Sequence, residues 1–201
     1  MERHILAISG GGFSEEEDAY IDKFLLKLCK KTTPIKICFI ATASADSPDY
    51  IEKFYRRFQS EEPSHLTIDD MKLENIQEIV NSFDIVYVGG GNTYYMLNVW
   101  RETGFDQVML NAYQSGVILC GISAGAMCWF EDCYSKKDEA YTEFEGLGVL
   151  QGSFCPQYNM EARRIAFDQW ALKQTDKPIY KLKDNENLHF INEQLVARIT
   201  T

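Results

Sequence analysis

Histidine is scarce in this chain: three residues in 201, His4, His65 and His189. None lies near Cys128 and Cys133, and no cysteine pair has the C-x-x-C spacing, so neither a zinc centre nor any other metal site is expected. The six cysteines (Cys29, Cys38, Cys120, Cys128, Cys133, Cys155) include several within apolar strand-like runs, which suits a reduced and partly buried set. Positive charge is also in deficit. With 20 Lys and Arg against 30 Asp and Glu, the net charge of −10 gives poor support to a nucleic-acid surface and leaves small molecules or peptides as partners. No apolar run reaches membrane-spanning length. The first, Ile5-Leu6-Ala7-Ile8, stops at Ser9-Gly10-Gly11-Gly12, too soon for a signal peptide, so a cytoplasmic protein without membrane contact is expected. Neither glycine-rich loop carries the G-x-G-x-x-G spacing of a dinucleotide site, and no cofactor is expected.

The composition, 45% hydrophobic and 25% charged, is that of a globular protein. The length suits one domain over residues 1–201, and neither a linker nor an internal repeat is visible. Buried strands are expected at His4–Ser9, Ile35–Ala41, Ile85–Gly89 and Val117–Gly121, each rich in Ile or Val. Helices are expected at Glu15–Lys31 (capped by Ser14), Pro48–Gln59, Leu73–Phe83, Thr93–Glu102 and Phe105–Gln114. This alternation predicts a doubly wound α/β fold with a mostly parallel sheet. The polar stretch Glu131–Glu145 loosens the pattern. A strand at Ser153–Cys155 and a helix at Glu161–Lys173 follow, then three short β-like runs, Ile179–Leu182, Leu188–Ile191 and Leu195–Ile199, which read as a C-terminal β-hairpin region.

The chemistry concentrates in Gly121-Ile122-Ser123-Ala124-Gly125, where a buried strand meets a helix start. A serine on such a turn is held strained and exposed above the sheet, and it needs small neighbours. That makes Ser123 a candidate nucleophile, with the Ala124 N–H as an oxyanion donor. A second loop, Val88-Gly89-Gly90-Gly91-Asn92-Thr93, also joins a buried strand to a helix, and Gly90 or Gly91 is a candidate second donor.

Tyr-Val-Gly-Gly-Gly-Asn-Thr at 87–93, followed by Gly-Ile-Ser-Ala-Gly-Ala at 121–126, resembles the dipeptidase E and cyanophycinase family of serine peptidases, most closely its bacterial peptidase E branch. Gly10-Gly11-Gly12-Phe13-Ser14, Ala41-Thr42-Ala43-Ser44, Gly146-Leu147-Gly148-Val149-Leu150 and Cys155-Pro156-Gln157-Tyr158 fall in the same order, so the likeness spans roughly residues 5 to 190. The resemblance implies a class I glutamine amidotransferase-like (flavodoxin-like) fold. It also implies a serine-type dipeptidase that removes N-terminal Asp from short peptides, with Asn92 and Arg163 as substrate-binding residues; Arg164 competes for the second role. A homodimer is the candidate assembly.

One position departs from the family pattern. Relatives place a histidine, the general base, after the proline of the segment matching Cys155-Pro156-Gln157-Tyr158, and here that position is Gln157. An amide holds a hydrogen bond but cannot take a proton near neutral pH. The resemblance also implies a triad Asp or Glu on the loop after the elbow helix, where Glu131, Asp132, Asp138 and Glu139 compete, and spacing from the serine favours Asp138. Two readings follow: a serine peptidase, or a catalytically impaired pseudoenzyme that retains a pocket for small acidic peptides.

Overall fold

The computed structural model describes residues 1–15 and 19–201. Its frame is a seven-stranded sheet. In chain order the strands and helices of its parallel part are β1 (His4–Ile8), α1 (Tyr20–Leu28), β2 (Lys36–Ile40), α2 (Pro48–Arg57), β3 (Glu62–Leu66), α3 (Ile76–Asn81), β4 (Ile85–Val88), α4 (Thr93–Thr103), α5 (Phe105–Gln114), β5 (Ile118–Ile122) and α6 (Ala124–Met127). A hairpin, β6 (Asp132–Lys137) and β7 (Ala140–Glu145), comes next, then β8 (Ser153–Cys155), α7 (Glu161–Ala171), β9 (Ile179–Lys181), β10 (Glu186–Ile191) and β11 (Gln194–Thr200). The sheet runs β11-β10-β1-β5-β4-β2-β3; its pairs from β1 through β3 are parallel, whereas β10 and β11 join antiparallel at one edge.

Strand residues alternate between the two faces, and each face buries a separate apolar cluster. Ile5, Ala7, Val86, Val88 and Leu119 pack with Trp100 of α4 and Phe105 and Met109 of α5. Leu6, Ile8, Phe39, Tyr87 and Ile122 pack with Ile21 and Leu25 of α1 and Phe54 of α2. Helices therefore cover both faces, as the runs of Ile and Val predicted.

Four expectations change. Of the helix expected over Glu15–Lys31, residues 16–18 lie outside the described residues; α1 is entered from Ala19, and Gly12–Ser14 form a short 3₁₀ turn. The residue at the start of α1 is Ala19 rather than Ser14, whose hydroxyl sits 2.6 Å from Tyr50 Oη. The polar stretch Glu131–Glu145 is the β6–β7 hairpin, which buries Cys133 and Ser135 while Tyr134 stacks on Trp170. Finally, β9 pairs in parallel with β8, so the C-terminal hairpin is β10–β11 alone. Its turn, Asn192-Glu193, has both residues at positive φ, which matches the twist of the strands it joins. The six cysteines are unbonded, and all but Cys29 are buried.

Two buried ionisable groups make stability depend on pH in opposite directions. On β10, His189 stacks on His4 of β1, with 2.9 Å between Nε2 and Nδ1. Burial first, then the His4 charge, lower its pKa to about 4, with Glu2 opposing. Its contribution to stability is present above the ordinary value near 6.5 and is lost as pH falls through about 4. Asp22 on α1 is fully buried, and burial raises it to about 6 against the opposing pull of Arg57, whose Nε lies 3.3 Å away. Its contribution is present below its ordinary value near 3.8 and is lost as pH rises through about 6. Asp22→Asn should therefore gain stability relative to the parent as pH rises from 4 to 7. Urea midpoints measured at several pH values test this; a difference that is flat or falls with pH would contradict it.

Candidate active site

Ser123 stands at the carboxyl end of β5, between β1 and β4, so the loops leaving three adjacent parallel strands converge on it. Ligands of open α/β sheets bind at such strand ends. The Ser123 backbone is strained, with φ 54° and ψ −107° at the mouth of α6. Its N–H donates to Ile8 O at 2.8 Å, and its carbonyl accepts from Ala126 and Met127. These bonds hold the residue in place, while the hydroxyl has no hydrogen-bond partner among the described residues.

The glycines around the serine are demanded by close approach. A Cβ on Gly121 would lie 1.8 Å from Gly125 O, and one on Gly125 would lie 2.2 Å from Val88 O. The turn at Ser123 is thus wedged between the first helical turn of α6 and the end of β4.

Residues from several elements line a pocket of about 290 Å³ at the serine. Gly90 and Gly91 come from the β4 loop, Gln157 from the loop after β8, and Arg163 from α7. Ser9, Ser14, Glu15 and Tyr50 complete much of the wall, and none of these four was expected as a site residue. Ser9, Ser14 and Glu15 flank the glycine run Gly10-Gly11-Gly12, which bore on the site only as part of the family resemblance.

The Gln157 loop is pinned by backbone bonds. Gln157 N–H donates to Ser9 Oγ at 2.7 Å, Ser9 Oγ donates to Leu182 O at 2.9 Å, and Tyr158 N–H donates to the same carbonyl at 2.8 Å. Gln157 itself has φ 51°, a second strained non-glycine residue at the same pocket. Its side-chain amide has no hydrogen-bond partner among the described residues.

Of the candidate oxyanion donors, Ala124 and Gly91 have N–H groups with no acceptor among the described residues. The Gly90 N–H is different: Tyr50 Oη accepts it at 3.1 Å. Gly91, at φ 142°, is placed so that a Cβ would meet Ala43 O at 2.3 Å. Arg163 makes no ion pair among the described residues, and its Nε is buried without a hydrogen-bond partner. Arg164 lies instead near Asp168 and Tyr158, away from the pocket.

The structure does not bring the remaining expected residues to the serine. Asn92 uses its Oδ1 to cap α4, accepting the Tyr95 N–H at 2.9 Å, and lines a separate pocket with Tyr94 and Asp138. Asp138, favoured by spacing as the triad acid, is at the β6–β7 turn with φ 56°, because the hairpin carries the chain away from β5. Glu131 accepts the Gly152 N–H and faces Lys177, and Asp132 also pairs with Lys177. Glu139 shares the hairpin turn with Asp138. None of the four acids lines the serine pocket.

Comparison with known proteins agrees with this architecture. The model of peptidase family S51 matches residues 5–198. The peptidase YgaJ of Bacillus subtilis (strain 168) is 41% identical over 203 residues, covering 99% of this chain and 88% of its own. The peptidase PM1590 of Pasteurella multocida (strain Pm70) is 32% identical over 213 residues, covering 98% of each chain. A peptidase E of Nostoc sp. is 26% identical over 164 residues, covering 79% of this chain and 66% of its own. The crystal structure of a peptidase from an acI-B1 Actinobacterium superposes with a TM-score of 0.73 at 21% identity, covering 94% of this chain and 83% of that one. The fold is the class I glutamine amidotransferase-like α/β fold of peptidase E proteins. The chain belongs to peptidase family S51. No helix among the described residues is long and apolar enough to cross a membrane.

Proposed function

We propose that the chain is a serine-type peptidase acting on short peptides, with an acidic N-terminal residue as the preferred end, and that its turnover is held down by Gln157. One observation carries this: Ser123, strained at the elbow with an unpartnered hydroxyl, shares a pocket with Gln157 and with the unpaired guanidinium of Arg163. In the reaction, Ser123 Oγ attacks the peptide carbonyl carbon. The tetrahedral oxyanion takes hydrogen bonds from Ala124 and Gly91, and the C–N bond breaks to leave an ester on Ser123 and a free amine. Water then attacks the ester and restores the serine. Both stages require a group that accepts a proton from oxygen and returns one to the leaving group, and an amide at 157 does neither. Arg163 suits a substrate carboxylate, because its planar guanidinium binds carboxylates through two parallel hydrogen bonds.

The half-buried amide at the base position also favours a second reading: a protein that retains acidic peptides without hydrolysing them. Covalent capture separates the two. A fluorophosphonate should label the protein on Ser123, slowly, with the adduct located by peptide mass spectrometry, and Ser123→Ala should not be labelled. An unlabelled parent alongside measurable Asp-X dipeptide binding would support retention without catalysis.

A further inference from the structure

We propose that Glu15 is the residue that recognises the substrate's amino terminus, so that the pocket selects a free α-ammonium as well as a carboxylate. This rests on the peptide reading of the Ser123 pocket and adds a second determinant to it. Among the described lining residues only two carry formal charge, Glu15 and Arg163, and they have opposite signs. They do not pair with each other, and neither pairs with any other described residue. A pocket with an unpaired anion and an unpaired cation on its wall matches a small zwitterion, since each ligand charge regains a partner as it leaves water.

Glu15 is also held in position. Its Oε2 accepts the Gly11 N–H at 3.0 Å, which orients the carboxylate and leaves Oε1 without a partner among the described residues. The Gly11 backbone, at φ 86° and ψ −136°, makes that bond in a region where a residue with a Cβ is strained. Glu15 thus sits on a short, anchored loop after β1, which is itself next to β5, and it reaches the pocket from the side of Ser9 and Gly10. An exposed carboxylate suits an ammonium on the end of a peptide, which stays partly solvated when bound, and such a contact would discriminate against blocked amino termini and internal sequences.

The test is binding, measured calorimetrically on the full chain carrying Ser123→Ala, so that no turnover intervenes. Two ligands are compared: Asp-Ala, and succinyl-alanine, which is the same molecule with hydrogen in place of the ammonium. With Glu15 present, removing the ammonium should weaken binding at least about tenfold, the scale of one charge-assisted contact. In Glu15→Gln, which keeps an acceptor for the Gly11 N–H, the same change should cost less than about twofold, and Glu15→Lys should reverse the preference. An equal loss in the Glu15 and Glu15→Gln proteins would overturn the assignment while leaving the peptide pocket intact. Failure of both ligands to bind the Glu15 protein would overturn the peptide reading itself, and this inference with it.

Discussion

Gln157→His is expected to raise kcat/KM for an Asp-X dipeptide by at least about a hundredfold. Ser123, the glycine loop and the arginine are all in place around one pocket, and position 157 there holds an amide, which cannot take a proton near neutral pH. Loss of a triad base in serine hydrolases costs roughly 10⁴ to 10⁶ in turnover, so a hundredfold recovery is a modest fraction of what an imidazole supplies. The gain stops short of the full factor because none of the acids Glu131, Asp132, Asp138 and Glu139 lines the pocket to orient the new ring. The loop itself should accept histidine, since its contacts to Ser9 and Leu182 are made by backbone groups. The rates belong above pH 7, where the imidazole is mostly neutral. An unchanged rate would mean that another group already serves as base, or that the pocket holds peptides in an unreactive pose.

Gly121→Ala should cost about 3 kcal/mol or more of stability and leave little soluble protein. The added methyl would lie 1.8 Å from Gly125 O and 2.2 Å from Gly125 C, both backbone atoms, so the elbow or the first turn of α6 must be displaced. Gly90→Ala is the informative contrast. Its methyl would meet Ile122 O at 3.5 Å and Ser123 Cβ at 3.6 Å, ordinary contact distances, so stability should change little while the pocket narrows beside Ser123. Denaturant midpoints compare the two variants. Equal losses would mean that the glycine at 121 is not the one the elbow requires.

Much of the frame was legible in the sequence because buried parallel strands are apolar on both faces: His4–Ile8, Lys36–Ile40, Ile85–Val88 and Ile118–Ile122 each stand out as a short run of Ile, Val and Leu. The strand-to-helix turn at Ser123 was legible for the related reason that Gly121 and Gly125 have no room for a side chain. The elements that escaped lack such pressure. Glu62–Leu66 is an edge strand with a neighbour on one side only, and Pro63, which cannot donate to a ladder, is tolerated there. The β6–β7 hairpin is polar because most of its residues stay at least partly exposed. That unseen hairpin is also why counting residues from Ser123 pointed to Asp138: spacing along a chain says nothing about distance once the chain turns back on itself. Asn92 carried two meanings, and the one the structure uses is local, since an asparagine before a helix caps it. Glu15 and Tyr50 carried no signal of their own; a charge and an aromatic become pocket walls only when the loops after parallel strands gather at one sheet end.

The measurement that bears most directly on the account is kcat/KM for release of aspartate from an Asp-X dipeptide by Gln157→His with and without Ser123→Ala. If Ser123 is the nucleophile and the base is what the pocket lacks, the single variant gains its hundredfold and the double variant falls to the background rate. A double variant that retains the gain would show that the imidazole at 157 activates something other than Ser123, and the assignment of the elbow serine would be wrong.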